Sequence, residues 1–170
     1  MSWMLLIFSC AFAAKLEDKY VMKTFENGQL YFVVPYDIPS RTAKQKALSA
    51  DITYKTTSNM VTMNLSVWTD EELLTDSIVL VGHERLNITD FQTFFIEKDR
   101  KLWLHRYSLQ FPWKYFNLMY ADPNPFSINI YSVSRNLQFG FSDKQWHKEQ
   151  DWMNQILHII TSNKRLYKQK

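Results

Sequence analysis

The sequence predicts an α+β fold that is predominantly antiparallel β: a meandering curved sheet, or a barrel or sandwich, of about 8–10 strands packed against one C-terminal amphipathic helix. Two observations carry this expectation. Short apolar runs separated by turn residues recur from Tyr20 to Phe141, as at Met60–Thr69, where Val61, Met63, Leu65 and Val67 alternate with Thr62, Asn64 and Ser66. The period then changes, and Trp146, Met153, Ile156, Leu157 and Ile160 follow at helical spacing.

The clearest hairpin joins Tyr20–Phe25 to Gln29–Val34 across Asn27-Gly28, a pair suited to the positive φ angles of a type I′ turn. Pro35 and Pro39 are expected to end the second arm, and Arg41–Ala50 to form a short helix or an ordered loop. A second hairpin joins Asp51–Thr56 to Met60–Thr69 across Thr57-Ser58-Asn59, and Asp70–Ser77 reads as a turn of helix or a loop. Strands are expected at Ile78–Val81, Phe91–Ile96, Leu102–Phe111, Trp113–Tyr120, Phe126–Val133 and Leu137–Phe141. Ser142 with Gln145 three positions later forms a capping box that opens a helix over about 143–163.

A chain of 170 residues, 46% hydrophobic and 16% aromatic, has enough apolar surface to offset its chain entropy in one core, which excludes wholesale disorder. With only 3 Gly and 5 Pro, collagen-like and linker-like readings fail as well. The net charge of +3 is concentrated: Lys164, Arg165, Lys168 and Lys170 stand in the last seven positions, and without them 16 basic residues face 17 acidic ones. The body is close to neutral, so a phosphate-neutralising stripe is not evident and no nucleic-acid partner is expected. The basic tail reads as a solvated end, or as a contact for anionic lipid or a partner.

Trp3–Ala14 is an uncharged stretch of twelve residues that would span about 18 Å as a helix, too short for an ordinary membrane span. It has the length of a signal-peptide apolar region, and Ala11-Phe12-Ala13 offers small residues for cleavage after Ala13. The expected organisation is a signal over residues 1–13 and a single β-rich domain over 14–170. Two departures count against a plain signal: no Lys or Arg precedes the run, and Ile7-Phe8-Ser9-Cys10 resembles a loose bacterial lipobox, in which residues 1–9 would be removed and Cys10 acylated as a membrane tether. A buried N-terminal strand or helix is the alternative. The expected location is exported: periplasmic, envelope-anchored or secreted. Cys10 is the only cysteine, which excludes disulfide scaffolds and cysteine-ligated metal sites in the body. Asn64-Leu65-Ser66 and Asn87-Ile88-Thr89 match a glycosylation pattern that is common by chance.

Motifs for chemistry are sparse. The glycines Gly28, Gly82 and Gly140 lie far apart, so there is no phosphate loop, and there is no nucleophile elbow. His147 and Asp151 are i, i+4 neighbours with His158 on the same polar side, which reads as a solvated helix face rather than a metal site. His83-Glu84 occupies a loop position where catalytic groups often sit. Asp70-Glu71-Glu72, Asp143, Glu149 and Asp151 supply carboxylates for a glycosidase-like pair, but acids beside helix starts are explained more simply by the helix dipole. No residue is assigned a catalytic or metal-binding role, and no cofactor is implied.

The aromatic surplus is the feature that points to binding. Trp103, Tyr107, Phe111, Trp113, Tyr115, Phe116 and Tyr120 crowd into eighteen positions, and His105 shares the apolar side of its strand with Trp103, Tyr107, Leu109 and Phe111. Rows of rings on a sheet stack on sugars or accept an apolar ligand; alternatively they are core. Trp103, His105, Tyr107, Trp113 and Tyr115 are therefore the candidate ligand-binding residues. The architecture is similar in outline to lipocalin-like proteins, although the Gly-x-Trp signature is absent and the likeness carries no function. The expected function is a small exported noncatalytic domain that binds an apolar molecule, a glycan or a protein. The alternatives are a hydrolase using carboxylates or the His83-Glu84 pair, and an assembly subunit of an envelope complex.

Overall fold

The computed structural model of the protein describes residues 16–42 and 45–168. The apolar segment Trp3–Ala14, with Cys10 and the expected cleavage position, lies outside them. Among the described residues the strands are β1 (Tyr20–Phe25), β2 (Gly28–Ile38), β3 (Leu48–Lys55), β4 (Met60–Thr69), β5 (Thr75–Val81), β6 (Arg85–Ile88), β7 (Gln92–Asp99), β8 (Leu102–Pro112), β9 (Ser127–Ser132) and β10 (Asn136–Gly140). The helices are α1 (Trp113–Ala121) and α2 (Asp143–Lys168).

These strands form two open antiparallel sheets: six strands in the order β1-β2-β3-β4-β8-β7, and four in the order β10-β9-β5-β6. Neither closes into a barrel. The sheets touch along one side, where Ser40 bridges Phe139 and the Gly140 N–H donates to the Pro39 carbonyl at 2.8 Å. Alternation gives the larger sheet an inner face of Tyr31, Val33, Ile52, Tyr54, Met63, Leu65, Leu109 and Phe111, all buried. Ile78, Leu80, Ile128, Ile130 and Phe139 of the smaller sheet join the same core. Both helices contribute Phe116, Tyr120, Trp146, Met153 and Ile156 to it.

Several details differ from the sequence reading, among them Leu48–Ala50, which opens β3 rather than belonging to a short helix or loop. Trp113–Ala121 is a helix, not a strand: its buried residues Tyr115, Phe116, Met119 and Tyr120 recur at i, i+1, i+4 and i+5, a helical stripe that strand-forming aromatics obscured. The fold therefore has two helices rather than one. Pro35 does not end β2; it sits where the register shifts between Val33 and Tyr36, at a bulge that requires no ladder N–H. The first turn is not type I′, because of the residues around it only Gly28 has positive φ, at 144°. The four-residue strand β6 was too short to register as a pattern, and β5 starts three residues earlier than expected.

The C-terminal helix starts as expected, with the Gln145 side chain accepting from the Ser142 N–H at 3.1 Å and from its hydroxyl at 2.8 Å. It runs on to Lys168, and Trp146 beneath it meets Tyr120, Phe126 and Phe141 with ring centroids 5.4, 5.4 and 5.8 Å away. No helix among the described residues is long and apolar enough to cross a membrane.

Candidate functional site

The five residues singled out from the sequence do not share one surface. Trp103 is half-buried at the start of β8, with the Lys98 ammonium 5.8 Å from its ring. Trp113, ten residues and about 30 Å of strand further along, opens α1 and stacks on Tyr54 at 3.9 Å. Tyr115 is buried and donates its hydroxyl to the Glu84 carbonyl at 2.8 Å, with burial pushing its phenol up to about 12. His105 and Tyr107 project from β8 into the core with rings 6.1 Å apart, and the Tyr107 hydroxyl lies 2.7 Å from that of Thr75. Most of these rings are packing, not a platform.

His105 is fully buried. Thr69 gives its one hydroxyl proton to the Glu71 carbonyl at 2.5 Å, so it must accept from His105 Nε2–H at 2.8 Å. That assigns the tautomer and leaves Nδ1 as a bare acceptor without a partner among the described residues. Burial holds the imidazole pKa below its ordinary value.

A concavity lies elsewhere, where β7 departs from β8. From Ser108 onward β7 alongside β8 is replaced by the crossover from β6, and the gap is a groove of about 670 Å³. Its floor is the last part of β8 (Ser108, Gln110, Pro112) with Met60 of β4, and its wall is Leu86–Gln92. Asp90 is the one charged residue in this lining; Asn87, Thr89, Gln92, Ser108 and Gln110 are neutral polar groups, and Leu86, Ile88, Phe91 and Phe111 are apolar.

The backbone of β8 contributes to the groove as well. The Trp113 N–H donates to the Asn59 carbonyl at 2.8 Å, so Trp113 and Asn59 form a hydrogen-bonded pair just past the Pro112–Met60 position. Alternation along an antiparallel ladder then makes Phe111 and Leu109 bond to β4 and turns the N–H and C=O of Gln110 to the other side. β7 has ended there: its first residue, Gln92, is opposite Ser108.

Beside the groove, the outer face of the larger sheet holds a polar belt. Asp51 is only 2% exposed, and it takes hydrogen bonds from the Arg106 guanidinium and, at 2.7 Å, from Asn64 Nδ2. Arg106 also donates to the Ser66 hydroxyl, and Asn64 lies opposite Ser108 of the groove floor.

The other polar candidates stay apart. His83 Nδ1 lies 3.6 Å from Asp122, which is largely buried, but His83 is more than half exposed and lines none of the grooves described here. The Asp122 carboxyl is held below its usual range first by the Asn124 backbone N–H, then by the Asn124 side-chain amide and by His83. His147, Asp151 and His158 are exposed on α2. Among the described residues no three His, Cys, Asp or Glu side chains gather as a metal site.

The groove residues Gln92 and Gln110 were not singled out from sequence, and Asn87 only as part of a glycosylation pattern. The available signal was Gln110-Phe111-Pro112: a proline closing a strand marks a ladder position with no N–H to give, and so a free edge. Comparisons of the chain with protein-family models, with curated protein sequences and with solved structures returned no match.

Proposed function

We propose that the protein is an exported, noncatalytic binding module that takes up an extended polypeptide segment of a partner protein along the open end of β8. The observation that carries this reading is the pair of Gln110 backbone groups turned away from β4, beside the position where β7 stops. A visiting strand continues the line of β7 and pairs with Gln110, and the side-chain amides of Asn87 and Gln92 supply further partners for its peptide groups. The nearly uncharged lining favours neutral side chains, with Leu86, Ile88 and Phe91 accepting apolar ones. A protein segment fits this edge better than a glycan or a small apolar ligand, because the candidate rings are spread over the core and do not form a stacking surface. Export rests on the uncharged Trp3–Ala14 stretch, with Cys10 as the point of acylation if the chain is tethered.

The test is selection from a library of displayed uncharged peptides, followed by fluorescence anisotropy with the best binder on wild-type protein and on Gln110→Pro. Proline deletes the N–H offered to the peptide, and β4 does not use that N–H, so the variant should fold and bind at least about tenfold more weakly. Peptides that bind both proteins equally would remove the groove from consideration. Mass spectrometry of the N-terminus of the protein from its native host checks export.

A further inference from the structure

The edge strand β1 is largely apolar and open to solvent, with Lys23 at its middle. Val21 and Phe25 are 51% and 50% exposed, and Phe32 of β2, opposite Val21, is 36% exposed. Val21 and Phe32, with Lys23, Leu30 and Thr53, line a shallow groove of about 330 Å³ on the outer face of the sheet. One row across that face reads Lys23, Leu30, Lys55, so two ammonium groups flank the apolar floor. Lys164 of α2 reaches the same end of the sheet from its inner face, where its Nζ donates to the Tyr54 hydroxyl at 2.7 Å. The exposed acids of the surroundings are Asp37 farther along the same face of β2, Glu26 at the hairpin turn, and Glu17 and Asp18 ahead of β1; Asp51 on this face is buried and paired with Arg106.

The strand is exposed on its other side too. The Val34 N–H donates to the Lys19 carbonyl at 3.0 Å, so by alternation the backbones of Tyr20, Met22 and Thr24 point away from β2, and Met22 is 43% exposed. A lysine in the middle of an edge strand guards it against pairing with another strand. The same lysine beside exposed Phe and Val suits a surface that takes apolar side chains below a layer of negative charge.

We infer that the outer face of the β1–β2 hairpin docks on an anionic lipid bilayer, with Val21, Phe25 and Phe32 entering the headgroup boundary and Lys23 and Lys55 meeting lipid phosphates. The uncharged Trp3–Ala14 stretch ends six residues before β1, within about 20 Å of extended chain, so a tether there would present this hairpin to the membrane first.

Sedimentation of the full chain with vesicles of phosphatidylcholine alone, and with about one third phosphatidylglycerol, tests the inference. The readout is the ratio of the two partition coefficients, which the uncharged N-terminal stretch does not set. The expected ratio is at least about tenfold, falling towards one in about 0.5 M salt. Lys23→Glu with Lys55→Glu should bring it to about one at low salt, and Phe25→Ser with Phe32→Ser should reduce partition onto anionic vesicles; Lys55→Glu alone serves if the double variant misfolds by circular dichroism. Equal partition onto both vesicles, or variants that sediment like wild type, overturns the inference. So does salt-sensitive binding to polyglutamate without binding to vesicles, which would assign the face to an acidic polypeptide.

Discussion

Tyr36 of β2 and Tyr120 of α1, 84 positions apart, bring their hydroxyl groups to 2.7 Å inside the core. This bond ties the larger sheet to the helix that follows β8, and Trp152 of α2 packs edge-on against Tyr36 at 5.6 Å. Each hydroxyl is the hydrogen-bond partner of the other, so removing one strands its mate in an apolar setting. Tyr120→Phe should cost about 1–3 kcal/mol in urea unfolding, and Tyr36→Phe with Tyr120→Phe should cost less than the sum of the single variants. Additive costs would show that the two hydroxyls are not paired.

Alkali should unfold the protein through its phenols. Burial pushes Tyr36 and Tyr120 well above their ordinary value and Tyr54 and Tyr115 up to about 12, while an unfolded tyrosine titrates near about 10. The folded-state values are raised, so the stability they contribute is complete below about pH 10. It is lost as the pH rises towards 12, because the unfolded chain gives up protons first. The melting temperature should therefore fall steadily above pH 10, with tyrosinate absorbance appearing together with the loss of β-sheet dichroism. Tyrosinate that titrates fully in the folded protein near pH 10 would contradict the burial of these rings.

Ile156 is fully buried under α2, on the stripe that also holds Met153 and Ile160. Ile156→Ala should lower stability by about 2–5 kcal/mol, read from the midpoint of denaturant unfolding. An unchanged midpoint would mean that α2 does not seal the core.

How much of this was legible beforehand depended on what each residue was paired with. The hairpins and α2 were readable because alternation at Val61–Val67, and the stripe from Trp146 to Ile160, are local signals set by one buried face. Trp113–Ala121 was misread because Trp, Tyr and Phe favour strands, and only the spacing of the residues that end up buried betrays a helix. The two-sheet division was invisible in a meander of similar strands, since it depends on β4 passing over β5 to pair with β8. The groove was missed for a related reason: it consists of an absence of pairing beyond Ser108, and its one local signal is Pro112, two positions past Gln110. Aromatic excess drew attention to Trp103–Tyr120 because large rings serve a core and a ligand equally well, and composition does not separate the two uses.

Asp51 and Arg106 make a further test. The carboxylate is buried, and its cation and Asn64 are the partners that offset the loss of water. Arg106→Met alone should cost about 3–5 kcal/mol, because a desolvated carboxylate is left with the Asn64 amide only. Adding Asp51→Leu should recover most of that loss, since two apolar groups of similar volume need no solvation. Chemical denaturation of the three variants measures the cycle; a double variant less stable than Arg106→Met would mean that the belt holds the sheet together by more than charge pairing.

His105 predicts the acid side of the stability curve. Its Nε2–H is committed to Thr69, its Nδ1 has no partner among the described residues, and burial lowers its pKa below the value of about 6.5 that an unfolded histidine shows. The lowered value means that the folded protein prefers the neutral ring. Its contribution is complete above pH 6.5 and is lost as the pH falls below that value towards the folded-state pKa, because the unfolded chain takes up the proton first. His105→Gln keeps a side-chain N–H for Thr69 and removes the titration. It should be less stable than wild type at neutral pH, through imperfect packing, yet lose less stability between pH 7 and 5. Parallel curves for the two proteins across that window would mean that His105 does not titrate on unfolding.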